Sequence, residues 1–199
     1  MANMLLIIGW RTPNATPSTA LMNEVAKKVQ PNERFFMRRC HTPSALPGII
    51  DDVVARYGPI DVLDLYDHGG DGHQRMGDRQ LFASDGTQTG PLIGEDIALA
   101  IAPRLTETAH VRLLGCDTSS AVLPAPGRFL LIKLARALGG RRTVFGTMNV
   151  TDPDDFDQRG LKPGREPSLL FSSSAALDME APTPEERTAH IVATRKPPA

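Results

Sequence analysis

Apolar residues along the chain fall into two alternating patterns. Short continuous runs of β-forming residues occur at 4–10, 33–40, 60–70, 110–118 and 142–150. Between them, apolar residues recur at helical spacing in 20–29, 49–58, 94–105 and 129–140. Continuous apolar strands separated by helices are typical of a parallel sheet covered on both faces. The pattern predicts an α/β fold, a three-layer sandwich whose mainly parallel central sheet has about six strands, with helices on both faces.

Turn-forming residues and a change of composition near the C-terminus predict where the helices and the domain end. Gly58 and the Gly139-Gly140 pair are placed to end helices, and Asp85-Gly86 indicates a hairpin turn within 79–91. Pro47 and Gly48 stand just before a helical pattern. SLLFSSSA (168–175) is typical of a last edge strand, and the residues beyond it are rich in Pro and charge. We therefore predict one domain over 1–178 and a frayed or disordered tail over 179–199.

Composition indicates which binding partners and which cellular compartment to expect. The 199 residues are 41% hydrophobic and carry a formal net charge of -1, which gives no electrostatic footprint for nucleic acid or an anionic membrane. No stretch approaches the length of a membrane-spanning helix, and the N-terminal run lacks the basic start of a signal peptide. Two cysteines, Cys40 and Cys116, cannot build a disulfide framework. These features predict a cytoplasmic protein.

Two strands end on residues that carry chemistry. In LDLYDHGGDGH (63–73), a β-forming run leads into His68, which Gly69 and Gly70 follow. The run HVRLLGC closes on Cys116, again after a glycine. Ligand sites of open α/β sheets form at the carboxyl ends of the strands. His68 and Cys116 would therefore face one crevice if their strands are neighbours.

A cysteine, a histidine and a glycine in that arrangement suit nucleophilic catalysis. The thiolate attacks, and a nearby imidazole takes its proton or stabilises the anion. A glycine beside the histidine leaves a backbone N–H free to approach an oxyanion. Taken singly, a cysteine at a strand end is usually a small buried hydrophobe, and a His-Gly-Gly stretch is usually a surface turn. The matching positions of His68 and Cys116 on consecutive strands favour a catalytic dyad over both of these interpretations.

These motifs resemble those of the caspase-like clan of cysteine peptidases. LDLYDHGG, a hairpin, a helix and then VRLLGCDTSS follow the clan's order of His-Gly and Gly-Cys strand ends. GRFLLIKLARALGGRRTVFGTMNV resembles the continuation found in bacterial caspase-like and CHAT-type domains. The resemblance covers roughly residues 4 to 150, and its specificity comes from order, spacing and strand context, since each motif is short.

The resemblance implies a cysteine endopeptidase. His68 would act as general base or thiolate-orienting group and Cys116 as nucleophile, with the backbone N–H groups of Gly69 and Cys116 as the oxyanion hole. No metal or organic cofactor would be required. The connection DTSSAVLPAPG (117–127) is short, so we expect a single-chain enzyme that is not cleaved into subunits.

The substrate class implied is a protein or peptide, and the side chain preferred before the scissile bond stays open. Arg11 lies where caspases place a basic residue for an acidic side chain, although an exposed loop charge is the simpler interpretation. Asp117 or Asp67 would serve a basic side chain instead. Asn149 follows the fifth strand, where relatives contact the substrate backbone. An exposed sixth strand would allow a homodimer.

Two other functions compete with a peptidase. Asp67, His68, Asp71 and His73 put two carboxylates and two imidazoles within seven residues, which would suit a metal-dependent hydrolase. Their order matches no metal motif with a clear mechanism, such as H-E-x-x-H. A caspase-like fold without an active thiol would instead be a peptide-binding scaffold.

Overall fold

The computed structural model describes residues 2–11, 18–87, 89–119, 126–148, 151–163 and 169–173. The strands are β1 (Met4–Gly9), β2 (Phe35–Cys40), β3 (Ile60–Tyr66), β4 (Gly69–Gly70), β5 (His73–Met76), β6 (Arg79–Ser84), β7 (Leu92–Ile93), β8 (Leu105–Leu113), β9 (Thr143–Thr147), β10 (Phe156–Asp157), β11 (Gly160–Leu161) and β12 (Leu169–Ser173). The α-helices are α1 (Ser18–Lys28), α2 (Leu46–Tyr57), α3 (Glu95–Ile101) and α4 (Pro126–Leu138). Short 3-10 turns occur at Pro43–Ala45, Ala102–Arg104 and Pro153–Asp155.

The central sheet has the strand order β12-β9-β8-β3-β1-β2. β2, β1, β3, β8 and β9 pair in parallel, and β12 pairs antiparallel with β9 at one edge. The predicted α/β class with a mainly parallel sheet is confirmed. The run that includes 169–173 forms an edge strand, as its sequence predicts.

Helices cover both faces of the sheet. Leu5 and Ile7 of β1 join the core cluster that contains residues of α2, α3 and α4, whereas Leu6 and Ile8 join a cluster with Met22 and other residues of α1. Successive side chains of a strand point to opposite faces, so an unbroken apolar run is what two covered faces require.

A buried ion pair links the two strands that matter most for the site. Asp64 of β3 lies opposite Arg112 of β8. Arg112 donates from Nε to Oδ1 at 2.5 Å and from Nη2 to Oδ2 at 2.6 Å, and the Asp64 side chain is 1% exposed. A bidentate pair of this kind adds geometric specificity, because a shift in register would leave a buried charge unpaired. It therefore fixes how the ends of β3 and β8 align.

Three local features differ from the sequence expectation. The helix expected after Pro47 and Gly48 begins earlier, at Leu46, because proline is tolerated in a first turn where no N–H partner is needed. β8 ends at Leu113, three residues before Cys116. β4 to β7 form a separate antiparallel sheet of four strands, of which only the part within 79–91 was expected.

Two predictions fall outside the described residues: Asn149 and the tail 179–199. Among the residues described, no helix has both the length and the apolar character needed to cross a membrane.

Candidate active site

His68 and Cys116 follow neighbouring strands. β3 and β8 pair in parallel with Leu65 opposite Leu113, and the N–H of Leu114 donates to the Leu65 carbonyl at 2.9 Å. The chain thus leaves both strands at the same carboxyl edge of the sheet. This is the adjacency that a dyad between His68 and Cys116 requires.

Two glycines bring the strand ends into backbone contact. A Cβ on Gly115 would lie 2.8 Å from both Cα and N of Gly69. A Cβ on Gly69 would lie 2.5 Å from Cγ2 of Thr118 and 3.1 Å from the carbonyl oxygen of Cys116. Neither position accepts a side chain without movement of its neighbours. The glycines therefore set how closely the segments that carry His68 and Cys116 approach.

The backbone N–H of Gly69 points away from the adjacent hairpin strand. Gly69 lies opposite Gln74 in the antiparallel pair β4–β5, and the N–H of Arg75 donates to the His68 carbonyl at 2.9 Å. Hydrogen-bonded and non-hydrogen-bonded pairs alternate along such a ladder, so the pair Gly69/Gln74 is a non-hydrogen-bonded one. The Gly69 N–H is consequently not used in the ladder with β5.

The imidazole of His68 has an unused nitrogen. Within the described part of the chain, its Nε2 is buried and has no hydrogen-bond partner. Burial lowers the pKa of His68; the charge of Asp67 opposes this shift, and Arg11 and Arg75 reinforce it. The ring is therefore neutral at pH 7, which is the form that can accept a proton.

Cys116 is half-buried in a tight turn beyond β8. Its Sγ donates a hydrogen bond to the carbonyl of Thr151 at 3.9 Å. No hydrogen bond joins its Sγ to His68 among the described residues. Because catalytic hydrogen bonds are often long or misaligned in ligand-free proteins, a Cys116–His68 dyad is compatible with this position of the thiol.

A buried threonine pair holds the turn that contains Cys116. The hydroxyls of Thr118 and Thr147 lie 3.2 Å apart, and the N–H of Thr147 donates to Oγ1 of Thr118 at 2.9 Å. Oγ1 of Thr147 also donates to the carbonyl of Gly115. The end of β9 therefore supports the turn from the side opposite β3.

Asp117 adopts a backbone conformation that is uncommon for a residue with a side chain. Its φ of 49° is in the left-handed region, which aspartate tolerates better than most residues. Burial and the charge of Asp71 raise the pKa of Asp117. Asp71 in turn accepts a hydrogen bond from the N–H of Gly127 at 2.9 Å, at the start of α4. Asp117 therefore directly follows the candidate nucleophile in the chain, and its carboxyl lies close enough to Asp71 for the two groups to repel each other.

Arg11 is held by the protein rather than extended into solvent. Its Nε donates to the carbonyl of Gly77 at 3.1 Å, and its Nη2 lies 3.9 Å from Oδ1 of Asp67. Asp67 accepts from the N–H of His68 at 2.6 Å and of Gly77 at 2.5 Å. Burial raises the pKa of Asp67, although these hydrogen bonds and Arg11 oppose the shift. Asp67 and Arg11 therefore tie the end of β3 to the turn between β5 and β6.

The candidate metal ligands between Asp67 and His73 make separate contacts in the structure. Asp67 packs over Gly9, where a Cβ would lie 1.9 Å from its Oδ2, and Asp71 caps α4. The ring of His73 covers Gly70, with Cε1 2.4 Å from the position of a Cβ there. In the described ranges, no group of three or more His, Cys, Asp or Glu side chains is arranged to hold a metal ion.

Gln74 is a residue of the site that no sequence motif indicates. It is fully buried on β5, where its side chain contacts the backbone of both His68 and Gly115. The only signal is the alternation of HQRM (73–76), whose second and fourth residues face inward. Such alternation over four residues predicts a short strand, but it does not distinguish a buried glutamine from an exposed one.

The chain matches no protein-family model, no curated protein and no solved structure.

Proposed function

We propose that the protein is a cytoplasmic cysteine endopeptidase of caspase-like fold, in which Cys116 is the nucleophile and His68 the general base. The observation that carries the proposal is the neutral His68 ring, with Nε2 unpartnered in the described residues, directly after the strand that neighbours the one leading to Cys116. A buried nitrogen without a partner is costly in a protein that does not use it. Two unpaired cysteines suit a reducing compartment.

The reaction follows from these positions. His68 takes the proton of Cys116, and the thiolate sulfur bonds to the carbonyl carbon of the peptide. The N–H groups of Gly69 and Cys116 stabilise the oxyanion. The C–N bond then breaks, and the amine leaves with the proton from the imidazolium. Water, deprotonated by His68, cleaves the thioester, which releases the carboxylate and restores the thiol.

The charges beside the thiol favour a basic side chain before the scissile bond. Arg11 is engaged by Asp67 and Gly77, whereas Asp117 follows Cys116 directly and Asp71 lies close to Asp117. Two carboxylates near the nucleophile attract lysine or arginine and repel acidic groups. We therefore propose cleavage after a basic residue of a protein or peptide substrate.

Covalent trapping tests the proposal. The parent protein is incubated with two peptidyl acyloxymethyl ketones that differ only in an arginine or an aspartate at the reactive position. Intact-mass and peptide mapping should show one adduct, on Cys116, that forms faster with the arginine reagent and is lost in His68→Ala. No adduct with either reagent, under conditions where iodoacetamide reaches Cys116, would contradict the peptidase.

The second candidate function is a peptide-binding scaffold without catalysis. One observation favours it: the thiol of Cys116 is hydrogen-bonded to Thr151 and not to His68. A scaffold would bind a peptide at the same edge and leave it intact. Reversible binding of the arginine peptide without an adduct or cleavage would support this function.

A further inference from the structure

The side-chain amide of Gln74 connects the two strand ends of the candidate site. Its Oε1 accepts a hydrogen bond from the N–H of Gly115 at 3.0 Å. Its Nε2 donates to the carbonyl of His68 at 3.4 Å and to the carbonyl of Arg75 at 3.0 Å. The side chain is 0% exposed, so water does not compete for these contacts.

An amide is the group that these partners require. Gly115 presents a donor and His68 an acceptor, and only a side chain with both an acceptor and a donor at its end satisfies the two together. A carboxylate would repel the His68 carbonyl, and an apolar side chain of similar length would leave the Gly115 N–H buried without a partner. The absent Cβ of Gly115 also matters, because it would lie 2.7 Å from Oε1.

We propose that Gln74 is a positioning residue for the Cys116–His68 dyad, an inference that rests on the proposed peptidase function. By joining the backbone of His68 to that of Gly115, Gln74 sets the separation of the imidazole and the thiol. The hydrogen bonds of its own side chain go to backbone groups of Gly115, His68 and Arg75. Small displacements of catalytic groups are enough to lose much of a rate.

Asn3 provides a matched control at the opposite edge of the sheet. It is 6% exposed, and its Nδ2 donates to the carbonyls of Tyr57 at 2.9 Å and Pro59 at 3.0 Å. Both residues are therefore buried amides that bridge backbone segments, but Asn3 precedes β1 and is remote from Cys116. Gln74→Met and Asn3→Leu each replace an amide by an apolar group of similar size.

The test is a double-mutant cycle on the rate of Cys116 alkylation at pH 7. In the parent, His68→Ala should lower that rate about 10-fold, as expected if the imidazole raises the thiolate population. In the Gln74→Met background the same substitution should change the rate less than about 2-fold, because His68 is already displaced. In the Asn3→Leu background the full effect should remain, which separates positioning from a general loss of stability.

Three results would overturn the inference, and they are distinguishable. A full His68 effect in the Gln74→Met background would remove Gln74 from the site and leave the dyad intact. No His68 effect in the parent would remove the proposed peptidase and the positioning role with it. If Gln74→Met does not fold, the side-chain amide protons of Gln74 in the parent decide: slow hydrogen exchange supports the bridge, and exchange at the rate of an exposed amide contradicts it.

Discussion

The two cysteines of this protein lie at the same edge of the same sheet, yet their surroundings differ. Cys40 ends β2, is 0% exposed, and donates from Sγ to the carbonyl of Thr42 at 3.1 Å. Cys116 lies beyond β8, is half-buried, and is next to the strand that leads to His68. Cys40 is the last residue of its strand and is buried, whereas Cys116 lies in the turn that follows Gly115 and is partly exposed. We therefore expect the continuation of the chain after each strand, and not the residue type or the strand end, to set the reactivity of the two thiols.

The largest expected difference between the two cysteines is the effect of their substitution on the rate of peptide cleavage. Cys116→Ala removes the proposed nucleophile and should lower the cleavage rate by about 10³-fold or more. Cys40→Ala should leave cleavage within about 2-fold, because a buried thiol of this kind acts as a small hydrophobe. Cleavage of an arginine-containing peptide, followed by mass spectrometry, measures both. Equal losses in the two variants would break the comparison.

The rate of alkylation should differ between Cys40 and Cys116 in the absence of any substrate. Burial raises the pKa of Cys40 to about 11 from its ordinary value of 9.0. Two pKa units lower its thiolate population about 100-fold relative to an unperturbed cysteine, and its burial also excludes the reagent. Isotope-coded iodoacetamide at pH 7.5 should therefore label Cys116 at least about 100-fold faster than Cys40. Comparable labelling of the native protein at both sites would contradict the burial of Cys40.

Gly115 should be far less tolerant of a side chain than a glycine away from the site. Gly115→Ala places a methyl group against the backbone of Gly69, and overpacking of this kind should lower the free energy of unfolding by about 1–3 kcal/mol. Gly48→Ala is the matched control, since a Cβ there meets nothing within 4 Å, and in a helix it should stabilise the protein by about 0.5–1 kcal/mol. Urea denaturation measures both. A neutral or stabilising effect of Gly115→Ala would mean that the Gly69–Gly115 contact is loose.

The smallest expected effect is on stability at alkaline pH. The pKa of Cys40 is raised in the folded protein, so the protonated thiol stabilises the fold below pH 9.0, and this contribution is lost as the pH rises through about 11. Cys40→Ala should flatten that decline in the free energy of unfolding. A decline of the same slope in the parent and in Cys40→Ala would assign it to other groups, among them Tyr66, whose pKa burial also raises.

The sequence was most informative where both faces of a strand are buried. The runs of β-forming residues in β1, β3 and β9 predict strands, and these strands lie as expected. β4 and β5 were not expected, because glycines and alternating polar residues fit a loop equally well. Their pairing depends on contacts distant in sequence, such as Gln74 with Gly115, which no local pattern contains.

The candidate site also combines features that the local sequence predicts with features that depend on distant contacts. Because order and strand context were readable, the edge shared by His68 and Cys116 was predictable from sequence. The left-handed conformation of Asp117, the Thr118–Thr147 support and the engagement of Arg11 arise from packing between segments far apart in the chain.

The most direct test of the account is the pH dependence of Cys116 alkylation in the parent and in His68→Ala, with Cys40 as internal reference. Because burial lowers the pKa of His68, the imidazole stays neutral down to below pH 6.5 and can activate the thiol throughout that range. The account predicts fast alkylation near pH 7 that declines only as the pH falls below 6.5, and that is lost in His68→Ala. Superimposable profiles for the two proteins would contradict the dyad.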